Sequence, residues 1–315
     1  MKNADIAQHQ SASIMRASMT DGRLILMAAL LMSSTSLFAQ SQMDDTQIEA
    51  QRVTDGIYMI TGRGGNMGLS TGDDTTFLID DQFAPLTDKI VAAIAEITDH
   101  PVEYVLNTHW HGDHTGGNEN FGKQGALIMA HDKVRARLEK GKTTDTGEVL
   151  LPQPEALPVV TFNDSLTLHV NKQTIKGVHV HHAHTDGDVI VHFEDANVIH
   201  MGDTFFNQRY PWIDLKSGGH IDGVIKAAKI ALALSDEHTR IIPGHGPLAG
   251  KMDLQKHHDR IVAIRKEIAS MMDAGKTLEE IQAAKPTAPF DSEVDSSVSI
   301  SAERMVDIVY NSLSQ

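Results

Sequence analysis

Four side chains able to bind a metal lie within six residues: His109, His111, Asp113 and His114, in a run that continues Thr115-Gly116-Gly117-Asn118. An apolar stretch from Val102 to Asn107 precedes them and reads as a strand. Alternation along a strand points His109 and His111 the same way, and the turn re-aims Asp113 and His114, so one loop can serve two ions. Three further polar turns follow apolar segments: His182-Ala183-His184-Thr185-Asp186-Gly187-Asp188, His200-Met201-Gly202-Asp203-Thr204 and Pro243-Gly244-His245-Gly246. With 18 histidines and no cysteine, the chain offers imidazole and carboxylate donors and neither a thiolate ligand nor a Cys nucleophile.

These turns need strands to carry them, and the sequence supplies two sets. From Val53 to Asp81, β-rich pieces alternate with Gly and Asp-Asp punctuation, the pattern of consecutive hairpins. Pro85 then opens a helix with Ile90, Val91, Ile94 and Ile97 at helical spacing, leading into the strand from Val102. The second half repeats the grammar, with strands over 166–170, 178–182, 189–193 and 198–200, a helix over 221–234 and a strand over 240–242. Between Leu138 and Pro158 a stretch rich in Lys, Thr and Pro has no period and reads as a surface loop able to overhang a site. From Leu254 onward Ile261, Ile264, Ile268 and Met271 recur at helical spacing, predicting a helical cap over 251–315.

The first 39 residues read as an export signal. Leu24–Met32 is an apolar run preceded by Arg16 and Arg23 and followed by small residues, with a cut expected after Ala39. Nine apolar residues are too few to span a membrane, which takes about 20. Removing this leader takes away three basic and two acidic residues, so the net charge moves from -15 to -16. An exported chain this acidic repels phosphate backbones, which argues against a nucleic-acid partner. The expectation is a periplasmic protein acting on a small molecule, with no membrane association once the leader is gone. The domain reading is a leader over 1–39, a catalytic domain over 40–250 and the cap over 251–315.

In order and spacing, the four polar turns, with Asp80 ending the strand before them, resemble the metallo-β-lactamase superfamily over roughly Val53 to Gly250. The resemblance implies an α/β (α+β) fold, a four-layer αβ/βα sandwich here extended by C-terminal helices, with two metals at the upper edge of its sheets. Carried over by position, His109, His111 and His184 resemble the ligands of the first metal. Asp113, His114 and His245 resemble those of the second, and Asp203 the carboxylate that bridges both. Zn²⁺ suits this donor set, and three protein ligands per ion leave positions for a shared water. Two cations lower the pKa of that water and polarise the group under attack. The expected catalytic carboxylates are Asp113 and Asp80, the latter by holding a ligand in orientation.

Superfamily membership implies hydrolysis more firmly than substrate. The His-Trp-His-Gly-Asp-His loop and export favour β-lactam amide hydrolysis, weak or promiscuous activity included. Two departures stand against it: Asp203 occupies the place of the Cys of the cysteine-type β-lactamases, and Phe206 that of a Lys that pairs with the antibiotic's carboxylate. Arg209 is the nearest replacement in sequence. Lactone or thioester hydrolysis of the glyoxalase II kind is the alternative, and a non-catalytic periplasmic metal binder a further one; seven filled ligand positions argue against the last.

Overall fold

A computed structural model describes residues 43–144 and 146–315; the expected leader over 1–39, and the cut after Ala39, lie outside the described residues. The first half runs β1 (Glu49–Thr54), β2 (Ile57–Thr61), β3 (Met67–Thr71), β4 (Thr76–Ile79), α1 (Thr87–Ala95), β5 (Val102–Leu106), α2 (Gly112–Thr115) and α3 (Asn118–Lys123). It continues through β6 (Leu127–His131), α4 (Asp132–Leu138), β7 (Lys142–Thr143), β8 (Val149–Leu150) and β9 (Val160–Phe162). The second half is β10 (Ser165–Val170), β11 (Gln173–Val180), β12 (Asp188–Phe193), β13 (Val198–His200), α5 (Ile221–Leu234), β14 (Arg240–Ile242) and β15 (Ala249–Gly250). Helices α6 (Lys251–Asp273), α7 (Leu278–Ala284) and α8 (Ala302–Leu313) close the chain.

The first sheet has the order β1-β2-β3-β4-β5-β6-β9. Its opening strands pair antiparallel, as the hairpin punctuation predicts, and β4, β5, β6 and β9 pair parallel. Parallel neighbours need a crossover, and α1 supplies it between β4 and β5 with Ile90 and Ile94 buried. The second sheet, β10-β11-β12-β13-β14-β15, is antiparallel except where β13 and β14 run together across α5. The two sheets face each other: Ile57, Phe77, Ile79 and Leu106 of the first meet Ile175, Val191, Phe193 and Ile242 of the second in one apolar cluster. Each such side chain contributes about 1.5–3 kcal/mol of transfer free energy when fully buried.

A second cluster covers the other face of the second sheet. Val180, Ile199 and Ile241 pack there with Val224 and Ala228 of α5, Leu254, Ile261, Ile264 and Ile268 of α6, and Val306 and Val309 of α8. The C-terminal helices thus complete a layer of the sandwich and share its core. Between α4 and β9 the structure differs from the expected loop: β7 and β8 form a short hairpin, Lys142 opposite Leu150 and Thr143 opposite Val149. Gly147, at φ 83°, makes the turn, and the Thr144 backbone N–H donates to the Glu148 carbonyl at 2.8 Å. Strands of two residues are too short to show any period. Among the described residues no helix is long and apolar enough to cross a membrane.

Candidate metal centre

All seven expected ligands converge at one edge of the sandwich. His109 Nε2 lies 3.0 Å from His111 Nδ1, and His184 Nε2 lies 2.9 Å from the same atom. Asp203 stands between two groups of donors, its Oδ1 3.1 Å from His114 Nε2 and its Oδ2 3.4 Å from His245 Nε2 and 3.5 Å from His184 Nε2. Asp113 Oδ2 is 3.4 Å from His245 Nε2 and 3.7 Å from His114 Nε2. Donor atoms close enough to share an ion thus fall into His109/His111/His184, Asp113/His114/His245 and a group linking them, His109/His114/Asp203.

The hydrogen bonds behind these rings decide what their inner nitrogens can do. His111 Nε2 is 3.0 Å from Asp214 Oδ2, and a carboxylate only accepts, so the proton is on Nε2 and Nδ1 presents a lone pair. His184 Nδ1 donates to the Trp212 carbonyl at 2.8 Å, which leaves Nε2 as a lone pair. Thr108 Oγ1 donates to Asp80 Oδ2 at 2.8 Å and therefore accepts from His109 Nδ1 at 3.1 Å, freeing His109 Nε2 in turn. Three lone pairs meet within hydrogen-bonding distance with no proton among them. Burial holds His109 well below the ordinary imidazole value and His184 down to about 4, so adding protons does not relieve the repulsion. A cation does. Nearby, the buried His114 Nε2 and Asp203 Oδ1 are not aligned for a hydrogen bond with each other or with any other group. The donor set fits two Zn²⁺ ions, whose ordinary ligands are imidazole nitrogen and carboxylate oxygen.

Electrostatics separate the two halves. Burial opposes charge on Asp203, yet the imidazoles of His245 and His114 hold its carboxyl well below the usual range. Burial likewise lowers His114 and His245, but the surrounding carboxylates together outweigh it, Asp203 with Asp80 and Asp113 at His114 and Asp203 with Asp113 at His245; His114 is raised well above its ordinary value and His245 to about 9. The first group is therefore neutral and the second rich in carboxylate.

Backbone geometry makes room for this crowding. A Cβ on Gly65 would lie 2.1 Å from His114 Cε1, and one on Gly244 2.1 Å from Asp203 Oδ1. Asp80, at φ 61°, turns the chain out of β4 and is fully buried. Its Oδ1 accepts from the Thr108 backbone N–H at 2.7 Å, and its Oδ2 from His114 Nδ1 at 2.8 Å. Gln82 reaches the Gly-rich β2–β3 loop, its Nε2 donating to the Gly65 carbonyl at 2.7 Å and its Oε1 accepting from the Gly64 N–H at 3.2 Å. Asn66 Nδ2 donates to the carbonyls of Pro243 and Gly246 at 2.9 and 2.8 Å and so ties the His245 turn to that loop.

Other residues singled out in the sequence fall elsewhere. His200 is spent on the Asn66 carbonyl and the Gly202 N–H, His182 on the Gly218 carbonyl, and His220 caps α5 by accepting from the Asp222 N–H. His179 stacks on His131 with ring centroids 3.8 Å apart. Trp212, 38% exposed, stands 5.0 Å from the His111 ring, and Trp110 4.9 Å from it. Phe206 is buried and stacks on His245 at 5.1 Å, so no cation stands at that position. Burial lowers Arg209, opposed first by the charge of Asp295 and then by that of Asp203. Asp214, Gln82 and Asn66 are the site residues that sequence reasoning missed. None sits in a motif, and each acts across a long separation.

The metallo-beta-lactamase superfamily profile matches residues 60–245, and the chain belongs to that superfamily. Among curated proteins it is similar to the lactamase-like protein aptB of Emericella nidulans, 26% identical over 269 residues that make up 76% of this chain and 79% of that protein. It is also similar to a hydroxyacylglutathione hydrolase of Nitrosococcus oceani, 28% identical over 59% of this chain and 66% of the relative, so the match spans just under two thirds of that protein. Among solved structures, a metallo-beta-lactamase from Pontibacter korlensis superposes with a TM-score of 0.57 at 17% identity, over 68% of this chain and 99% of that one. At that identity the likeness is one of fold. The chain is thus a superfamily hydrolase with donor groups able to hold metal ions.

Proposed function

We propose that this protein is a dinuclear zinc hydrolase that opens an activated carbonyl bond, with β-lactam amides as the first substrates and acyl thioesters or lactones as the second reading. The observation that carries the proposal is the meeting of protonless nitrogens from His109, His111 and His184 beside the Asp113/His114/His245 group, with Asp203 between them. His109, His111 and His184 would hold one ion, Asp113, His114 and His245 the other, and Asp203 both. Bound zinc supplies Lewis acidity toward a carbonyl and acidifies water. The chain's own work is placement. Asp80 keeps the His114 proton on Nδ1, Asp214 keeps that of His111 on Nε2, and Thr108 takes the one on His109 Nδ1. Asp113, with 27% of its side chain exposed, is the site carboxylate open to substrate. Trp212 and Phe206 supply apolar surface near His184, with ring centroids 5.4 and 6.1 Å from it.

The thioester reading draws on Asp203 in place of a thiolate, on Phe206 in place of a cation, and on the similarity to a hydroxyacylglutathione hydrolase. We also propose export to the periplasm on the leader's pattern alone. A panel of β-lactam, acyl-thioester, lactone and phosphodiester substrates on zinc-loaded protein tests the function. Turnover of a β-lactam supports the first reading, and turnover of the thioester or lactone alone supports the second. Two bound ions with no turnover of any member would leave a metal-binding protein.

A further inference from the structure

We propose that the β7–β8 hairpin is the substrate-recognition arm of this site, with Lys142 receiving an anionic group of the substrate and Leu150 its apolar part. The inference rests on the hydrolase reading and names the substrate class: an amphiphilic acid whose charged group lies beside the metal centre.

The hairpin reaches the loop that carries four of the candidate metal donors. A Cβ built on Gly112 would lie 3.9 Å from Lys142 Nζ, which places the ammonium over the backbone between His111 and Asp113. Lys142 is exposed, and among the described residues no carboxylate pairs with it. Arg137, 5.6 Å from the Trp110 ring, is already committed: its Nε and one terminal nitrogen grip both oxygens of Asp186 at 2.8 and 2.9 Å, and it also donates to the Ser217 carbonyl. In a chain of net charge -15, an exposed cation beside Gly112 favours the approach of an anion.

The apolar component follows from register. Lys142 and Leu150 are directly opposite across the hairpin, so their side chains share one face, while Thr143 and Val149 share the other. Leu150 is 54% exposed on the face that it shares with Lys142. Trp212, 38% exposed beside His111, offers a second open apolar surface at the same ring. Open apolar side chains beside a placed charge form a surface for a ligand carrying both characters.

The experiment pairs benzylpenicillin with its methyl ester, which share lactam and apolar arm and differ only in the carboxylate. Steady-state KM and kcat are measured on zinc-loaded wild type, Lys142→Ala, Lys142→Arg and Leu150→Ser, with Kd for both compounds from tryptophan fluorescence. The expected result is that Lys142→Ala raises KM and Kd for the acid by about three- to tenfold, leaving kcat and the ester unchanged, while Lys142→Arg restores the acid. Leu150→Ser weakens acid and ester alike. Equal effects of Lys142→Ala on the two compounds, or no effect on either, would overturn the assignment while turnover keeps the hydrolase reading. Lys142-dependent binding of the acid without turnover of either compound would sustain the assignment and sink the β-lactam reading.

Discussion

His111 Nε2 and Asp214 Oδ2 are 3.0 Å apart, so a carboxylate 103 residues downstream sets which nitrogen of His111 faces the other candidate metal donors. Asp214 is itself anchored, accepting from the Ser217 hydroxyl at 2.6 Å and from its backbone N–H at 3.2 Å. Burial raises its pKa, but the bonds from His111 and Ser217 hold it below the ordinary carboxylate range. Asp214→Ala is expected to weaken the first zinc by about 10- to 100-fold, since the ring loses the partner that fixes its tautomer. Asp214→Asn, whose amide oxygen still accepts from Nε2, is expected to lose less. Titration with a competing chelator measures both, and equal zinc affinity in wild type and Asp214→Ala would remove the role.

Asp203 touches both donor groups, so its removal is expected to affect both ions. Wild type should bind close to two equivalents of zinc per chain, and Asp203→Ala should lose metal and hydrolysis together. Asp203→Cys should keep both sites filled and shift preference from esters toward β-lactams. Elemental analysis alongside turnover decides it: two tightly held ions and an undiminished rate in Asp203→Ala would mean that no bridge exists.

Gly65 has no room for a side chain against His114. With a Cβ expected 2.1 Å from His114 Cε1 and 2.4 Å from Nε2, Gly65→Ala must turn the ring out of place. Such a fully buried ring cannot move freely. The variant should fold, retain the first ion and lose the second, with activity down about 100-fold or more. A stoichiometry still near two would show that the loop yields and the ring stays.

The stacked pair His131 and His179 carries a pH signature away from the candidate metal centre. Burial lowers both imidazoles, His179 to about 4, while in the unfolded chain they titrate near the ordinary imidazole value of about 6.5. Because the folded state resists protonation, this contribution is complete above pH 6.5 and is lost as the pH falls toward 4. His179→Phe keeps the ring and removes the proton site. Its melting temperature should therefore fall less between pH 7 and pH 5 than that of wild type. Parallel decreases in a thermal scan of apo-protein at the two pH values would refute it.

The sequence displayed the donors because they cluster. His109 to His114, His184, Asp203 and His245 all stand where an apolar strand gives way to a polar turn, and that pattern also locates the strands. The helical spacing of Ile261, Ile264 and Ile268 likewise announced α6, although nothing in it said that the helix shares its core with the second sheet. What remained hidden acts through space. Asp214 follows Pro211-Trp212-Ile213 in a stretch with no period, and its partner is half a domain away. Gln82 and Lys142 look like ordinary surface residues in sequence; only folding brings one to the Gly64–Gly65 loop and the other to Gly112.

The apolar layer built by α5, α6 and α8 has a consequence for the order of events during synthesis. Every candidate metal donor has been polymerised by residue 245, yet the surface that backs β11, β13 and β14 waits for residues up to Val309. At roughly 5–20 residues per second, that interval lasts several seconds. Throughout it the nascent second sheet presents Val180, Ile199 and Ile241 without their final cover, a surface suited to a chaperone or to self-association. Chains truncated before α8 should inherit that stickiness permanently, so a frameshift near the 3′ end of the coding region would yield aggregates in place of a shortened enzyme.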